Sequence, residues 1–111
     1  PFRATLSAEA FVDDLSNWYL RRSRRRFWKK SEEGGEDTQA AYATLYHVLV
    51  RLARLLAPFI PFVTETMYQN LVRGAFPEAL ESIHHTLWPE PDPAAVDAAL
   101  LEEMALARRI A

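Results

Sequence analysis

Residues 38–56, which read TQAAYATLYHVLVRLARLL, are the part of the sequence that decides the fold. Their apolar side chains recur at intervals of three and four residues, which places them on one face of an α-helix. The series comprises Ala41, Tyr42, Leu45, Val48, Leu49, Leu52, Leu55 and Leu56. A helix with such a face must bury it against other elements, so this segment predicts a helical bundle.

Helical signals of the same kind precede this central helix. We predict a first helix over about residues 7–30, in which Phe11, Leu15 and Trp18 share one apolar face. If the helix is continuous, that face carries arginines farther along, so one stripe changes from apolar to cationic. The acidic stretch 31–37 contains two glycines and is predicted to be an exposed loop.

Further elements follow the central helix. Pro58 marks its end, because the residue before a proline is driven out of the α region. Pro61 is suited to the first turn of a third helix, and Gly74 is suited to its end. The stretch 82–88 is predicted to be extended.

A last helix is predicted to begin at Asp92 and Pro93, where a cap is followed by a proline. Its apolar pattern is still periodic at Ile110, which indicates a piece cut from a larger protein. The expected fold class is therefore all-α, a bundle of about four helices that forms a single domain over residues 1–111.

The composition excludes several classes of protein. The chain has 111 residues, a formal net charge of −2 and no cysteine, so disulfides and thiolate metal sites are excluded. Three glycines leave no room for a glycine-rich phosphate loop. No apolar run approaches the roughly 18 residues of a membrane span, and no signal-peptide pattern begins the chain. We expect a cytoplasmic protein with no membrane partner, and no feature indicates a homo-oligomer.

The strongest functional signal is the basic segment 18–30, WYLRRSRRRFWKK, which holds seven of the thirteen basic residues, five of them between two aromatic pairs. Cations follow a phosphate backbone, and aromatic rings or guanidinium groups stack on unpaired bases. Arginine outnumbers lysine, which favours bidentate contact with phosphate. The segment therefore predicts an RNA partner.

Local charge accounting supports an external anion for this segment. No acidic residue stands three or four positions before any arginine of residues 21–26, so the favourable acid-before-base helix pairing is missing. Neighbouring arginines repel one another and need compensation, either from RNA phosphate or from an acidic protein surface. A non-catalytic helical scaffold that docks such a surface is thus the alternative function.

The aromatic residues divide between packing and binding. We predict Trp18, Tyr42, Phe59 and Phe62 to lie in the core. For Trp28, stacking on a base and packing within the protein both remain open.

Catalysis and metal binding are not indicated. His84 and His85 are adjacent, which points their side chains apart in an extended chain. Asp13 and Asp14 likewise diverge on a helix, and no nucleophile has a recognisable base. We therefore predict no catalytic residue, no metal ligand and no cofactor in this chain.

Three motifs resemble a known family. Residues 13–28, DDLSNWYLRRSRRRFW, closely resemble the signature helix of isoleucyl-tRNA synthetases. Residues 56–68, LAPFIPFVTETMY, resemble a turn and helix shared by the isoleucine, valine and leucine enzymes of class I. Residues 82–89, SIHHTLWP, resemble a stretch of the isoleucine enzymes, with His85 as a departure. The equivalent domain of a valyl- or leucyl-tRNA synthetase is the second alternative.

The resemblance implies the all-α anticodon-binding domain of such a synthetase. Its expected partners are the anticodon stem-loop of isoleucine tRNA and the catalytic body of the parent enzyme. The parent would attach isoleucine to the tRNA using ATP and Mg²⁺, with zinc as a further candidate elsewhere in the parent. The class I active-site motifs, His-Ile-Gly-His and Lys-Met-Ser-Lys-Ser, are absent from this sequence, so the fragment itself is expected to be inactive.

The same resemblance selects candidate tRNA-binding residues: Arg21, Arg22, Arg25, Arg26 and Trp28. In the related methionine enzymes a tryptophan that ends the equivalent helix lies at the anticodon, which makes Trp28 the sharpest single candidate. The resemblance is also compatible with some of these arginines bracing the domain against the catalytic body.

Overall fold

The fold follows from one long central helix and the shorter helices around it. A computed structural model describes residues 2–28 and 31–110. The helices are α1 (Phe2–Asp14, continued as π-helix over Leu15–Leu20), α2 (Arg24–Trp28), α3 (Ser31–Leu56), α4 (Pro61–Tyr68, continued as π-helix over Gln69–Arg73) and α5 (Ala98–Ile110). Short 3₁₀ turns lie at Ile83–His85 and Pro93–Ala95. Within the described ranges no β-strand occurs, and the all-α prediction is confirmed.

Helix α3 begins earlier than the sequence pattern predicts and is kinked near its start. The kink is at Gly35, whose φ of 51° lies in the left-handed region that favours glycine. The regular part of the helix follows this glycine and ends at Leu56, just before Ala57 and Pro58, as predicted. The prediction of an open acidic loop over residues 31–37 is therefore wrong, because a helical turn forms on each side of the glycine.

The first helix is less regular than predicted. It starts at Phe2, earlier than the predicted start near residue 7. Its backbone widens to a π-helix at Leu15–Leu20, and a turn at Ser23 separates it from α2. A π-helical turn shifts the phase of the side chains that follow. The apolar and cationic residues therefore do not form the single continuous stripe that an ideal helix predicts.

The buried core is small and lies between α3, α4 and the turn at residues 83–85. It consists of Ala53, Ala57, Tyr68 and Ile83. The Tyr68 hydroxyl donates to the Leu80 carbonyl oxygen at 2.6 Å, so its polar end is satisfied inside the protein. Arg51 and Arg54 donate to the backbone carbonyls of Glu90 and Leu87, which ties the segment after the turn to α3.

Three of the four aromatic residues predicted to be in the core are substantially exposed. Phe62 is 87% exposed, because α4 buries the face of Thr64 and Tyr68, about 200° around the helix from it. Phe59 and Tyr42 are about half exposed, and Trp18 is partly buried. The predictions for Phe59, Phe62 and Tyr42 are therefore wrong, and Trp18 is not a fully buried core residue.

The chain exposes an unusually large surface for its mass. Its accessible area is 8828 Å², whereas a compact monomer of 12.7 kDa exposes about 6,200 Å². Part of the excess is an apolar groove of about 530 Å³ between α1 and α3, which Phe59 and Trp88 also line.

The start of the last helix and the conformation of residues 83–85 also differ from the sequence predictions. Asp92 caps only the 3₁₀ turn, where its carboxylate accepts from Ala94 N–H at 3.1 Å. Helix α5 starts at Ala98, and Asp97 accepts from Leu100 N–H at 3.0 Å. Residues 83–85 form a turn rather than an extended strand, because the Ser82 hydroxyl accepts from His84 N–H. None of the described helices is long and apolar enough to cross a membrane.

Candidate nucleic-acid interface

The short helix α2 presents two opposite faces. At about 100° per residue, Arg26 and Phe27 share one side, whereas Arg24, Arg25 and Trp28 share the other. The first side contacts α3, and the second is directed to solvent. Helix α2 therefore exposes two arginines and a tryptophan on a single surface.

Helix α3 holds α2 through one aromatic contact and one ion pair. The rings of Phe27 and Tyr42 meet edge to face with centroids 5.1 Å apart. The Tyr42 hydroxyl also donates to the Phe27 carbonyl oxygen at 2.9 Å. Beside this contact, Arg26 Nη2 lies 3.1 Å from Oδ1 of Asp37. A helix of five residues has little stability of its own, so these contacts determine its orientation.

The exposed side of α2 carries a stacked cation and ring. The Arg24 guanidinium lies over the Trp28 ring, 5.3 Å from its centroid, and Trp28 itself is 73% exposed. An exposed tryptophan with a cation on one face offers its other face for stacking. Trp28 therefore does not pack in this structure in the way that a core residue would.

A polar concave surface adjoins this stacked pair. It measures about 460 Å³ and lies between the π-helical turn and α2. Its lining is Ser16, Asn17, Leu20, Arg21, Arg24, Phe27 and Trp28. Arginine guanidinium groups, an amide and an indole together supply the donors and the ring that a single-stranded RNA segment engages.

A second cation–ring cluster lies beside it and joins α1 to the C-terminal helix. The Trp18 ring has the Arg22 guanidinium 4.7 Å from its centroid and the Arg108 guanidinium 5.9 Å from it. Arg108 also forms an ion pair with Asp14. The partly buried Trp18 ring thus contacts two cations, one from its own segment and one from α5.

The structure separates the five candidate residues into different environments. Arg21 and Trp28 line the concave surface, and Arg25 is exposed on the outer side of α2. Arg22 stacks on Trp18, and Arg26 pairs with Asp37. Among the side chains that the structure describes, no carboxylate lies within ion-pair distance of Arg21, Arg22 or Arg25. A role in RNA binding remains a prediction for each of the five.

Two residues at this surface were not selected from the sequence. Arg24 lies four positions before Trp28, and that helical spacing is the signal that would have found it. Arg108 reaches Trp18 from a helix about 90 residues away in sequence, and no local pattern indicates such a contact.

A separate polar cluster surrounds Glu65 at the other end of α3. Its carboxylate accepts from Gln69 Nε2 at 2.6 Å, from the Ser82 hydroxyl at 2.8 Å and from the Ile83 N–H at 3.1 Å. The imidazole of His84 lies 3.8 Å away. The Gln69 hydrogen bond and then those from Ser82 and Ile83 hold the pKa of Glu65 below its ordinary value, with a smaller contribution from the charge of His84.

Comparison with known proteins places these features in context. A family model described as the anticodon-binding domain of tRNA ligase matches residues 3–111. The isoleucine–tRNA ligase of Thermus thermophilus is 56% identical over 104 residues, which cover 90% of this chain and 10% of that protein. The isoleucine–tRNA ligase of Dehalococcoides mccartyi is 53% identical over 110 residues, which cover 99% of this chain and 11% of that protein.

A third relative carries the same name. The isoleucine–tRNA ligase of Clostridium acetobutylicum is 51% identical over 105 residues, which cover 95% of this chain and 10% of that protein. The chain thus spans about a tenth of the length of the curated relatives that it matches.

Proposed function

The chain belongs to the family of anticodon-binding domains of tRNA ligases, and from this membership we propose that its basic surface recognises the anticodon stem-loop of isoleucine tRNA. The observation that carries the proposal is the exposed pair of Arg24 and Trp28 beside Arg21. These side chains combine phosphate binding with base stacking, and they lie together in a protein whose net charge is −2.

The division of labour at this surface follows from the chemistry of its residues. Arginines that contact phosphate fix the position of the RNA but read no sequence. Trp28 engages bases by stacking. The Asn17 amide, whose nitrogen also donates to the Asp13 carboxylate at 2.7 Å, engages them by hydrogen bonding. Arg21, Arg24 and Arg25 bind the backbone around them, and Arg22 braces the Trp18 cluster or binds a neighbouring phosphate.

The proposal extends to the parent protein. As one domain of an isoleucine–tRNA ligase, the chain would bind the tRNA while the catalytic body attaches isoleucine with ATP and Mg²⁺, in the cytoplasm. Zinc, where the parent uses it, would be bound elsewhere in the parent. The isolated fragment would catalyse no step of this reaction, because it lacks the class I active-site motifs.

Titration with RNA tests the proposal directly. The chain is titrated with the anticodon stem-loop of isoleucine tRNA and with the same stem carrying a scrambled loop, over a series of salt concentrations. We expect tighter binding of the native loop. Equal binding of both loops would show that the surface binds polyanions in general and does not recognise the anticodon loop. No binding at low salt would contradict the proposal and would favour docking on an acidic protein surface.

Salt dependence identifies the arginines that contact phosphate. Replacing Arg22 and Arg25 with alanine is expected to weaken binding and to reduce the slope of log K against log salt by about 0.7 to 0.9 per lost contact. The matched control is Arg3→Ala, an exposed arginine at the far end of α1, which should leave the slope unchanged. An unchanged slope in the double variant would exclude both residues from phosphate contact.

A further inference from the structure

The ion pair between α2 and α3 has a more specific geometry than a chance surface contact. Arg26 Nε–H donates to both carboxylate oxygens of Asp37 at 3.1 Å. The same guanidinium also lies 3.5 Å from the backbone carbonyl oxygen of Asp37 through Nη2. One residue of α3 therefore fixes the guanidinium through several contacts, and Arg26 is turned towards α3.

This pair does little for the stability of the fold. The side chains of Arg26 and Asp37 are 35% and 61% exposed, so solvent screens their attraction. Helix α2 has a second attachment in the contact of Phe27 with Tyr42. The main effect of the pair is therefore to fix the position of the Arg26 charge.

The pair removes one cation from the surface that faces RNA. Arg26 lies about 200° around α2 from Arg24, on the side opposite to the exposed tryptophan. The family resemblance selects Arg26 as a candidate tRNA-binding residue, but its pairing with Asp37 turns it away from a loop that is seated on Trp28. In other orientations a free Arg26 would meet phosphate, because such contacts depend on charge and not on sequence.

We propose that Asp37 is a positioning residue that makes the RNA-binding surface selective. By holding Arg26 against α3, Asp37 denies non-specific RNA an additional phosphate contact and leaves the specific orientation unaffected. This inference rests on the proposed function, because selectivity has meaning only if the chain distinguishes anticodon loops.

The test is Asp37→Asn, which keeps the size of the side chain and removes its charge. For the scrambled loop we expect the plot of log association constant against log salt concentration to become steeper by about 0.7 to 0.9. Binding at about 0.1 M salt should be about five- to eightfold tighter. Binding of the native loop should change little, so discrimination between the loops should fall by a similar factor.

Two further variants separate the released cation from other effects. Arg26→Gln alone should leave the affinity and the salt slope of the native loop unchanged. The double variant of Asp37→Asn and Arg26→Gln should restore the slope of the original protein for the scrambled loop. Circular dichroism verifies that each variant keeps its helices. If Asp37→Asn loses helical signal, a reduced salt slope for the native loop in Arg26→Gln would still overturn the inference.

The outcomes distinguish this inference from the proposed function. If the original chain binds neither loop, or both equally, the proposed function and the inference fail together. If it distinguishes the loops but Asp37→Asn shifts both equally or shifts neither, the inference alone is overturned. A reduced slope for the native loop in Arg26→Gln would also overturn it, because Arg26 would then already be contacting phosphate.

Discussion

Charged clusters lie near both ends of α3, and they differ in whether their polar groups are satisfied within the protein. Near its start, α2 exposes Arg24, Arg25 and Trp28 to solvent. Near its end, the Glu65 carboxylate on α4 is surrounded by donors from Gln69, Ser82 and Ile83. The exposed arginines of the first cluster can bind a partner molecule, whereas the carboxylate of the second cluster already accepts hydrogen bonds from within the fold.

This contrast distinguishes a structural polar cluster from the proposed binding surface. A carboxylate with several internal donors joins segments that are distant in sequence, and its pKa falls because those donors stabilise its charged form. Arginines on a short, externally held helix add little to folding and much to binding. The clusters should therefore respond differently to mutation, one in stability and the other in affinity for RNA.

The largest expected effect is on stability at the Glu65 end. Ile83 is 2% exposed and packs against Ala53, Ala57 and Tyr68, so Ile83→Ala should lower the free energy of unfolding by about 2–5 kcal/mol. Urea unfolding followed by circular dichroism measures this loss. RNA affinity under conditions where the variant is folded should be unchanged, since α2 is attached to the other end of α3.

Leu87→Ala is the matched control for the core substitution. Leu87 is 82% exposed, so its replacement should change the free energy of unfolding by no more than about 0.5 kcal/mol. Equal losses in both variants would show that burial at residue 83 does not support the fold in the way described.

The next effect is on binding at the α2 end. Trp28→Ala should weaken binding of the anticodon stem-loop by about 1–3 kcal/mol, the contribution of one stacked base, and leave the melting temperature unchanged. Trp28→Phe should recover much of the loss because it restores an aromatic face. If the melting temperature falls while the affinity for RNA stays the same, Trp28 supports the fold and not RNA binding. The two clusters would then not differ in the way described.

The smallest effect is a pH dependence at Glu65. The pKa of this carboxyl is lower in the folded chain than its ordinary value of 4.5. Its contribution to stability is therefore complete above about pH 4.5 and is lost as the pH falls through the lower, folded pKa. Glu65→Gln should be less stable than the original chain by at most about 1 kcal/mol near neutral pH.

Unfolding of the original chain and of Glu65→Gln over a range of pH checks the sign of this effect. The difference between their free energies of unfolding should narrow as the pH is lowered below about 4.5. A difference that grows on acidification would mean that the folded protein favours the protonated carboxyl, contrary to its hydrogen-bond donors.

Much of the helical architecture was predictable, because its signals are local. The end of α3 before Pro58, the start of α4 at Pro61 and its limit near Gly74 follow from the stereochemistry of proline and from helix termination. The three sequence motifs identified the correct family, since the family model matches residues 3–111. Which aromatic residues are buried was not predictable from periodicity alone, and Phe62 shows why. Its helix turns a different face to the core.

The candidate site was predictable in composition but not in arrangement. The basic segment is visible in the sequence because its arginines are consecutive or nearly so. Local accounting found no acidic neighbour for Arg26, yet Asp37 pairs with it from eleven positions along the chain, across the kink at Gly35. Long-range contacts of this kind depend on how helices pack, so neighbour counting cannot find them.

The amino-acid sequence by itself determined that this chain is helical, that it carries a cationic and aromatic segment, and that it belongs among anticodon-binding domains. Periodicity, proline stereochemistry and motif spacing are properties of neighbouring residues, and they need no knowledge of the packed structure. Only the tertiary structure decided that Arg24 and Trp28 face solvent, that Arg26 is held by Asp37 and that Arg108 reaches the Trp18 ring. Those outcomes depend on a π-helical phase shift and on contacts between distant helices, which no local pattern encodes.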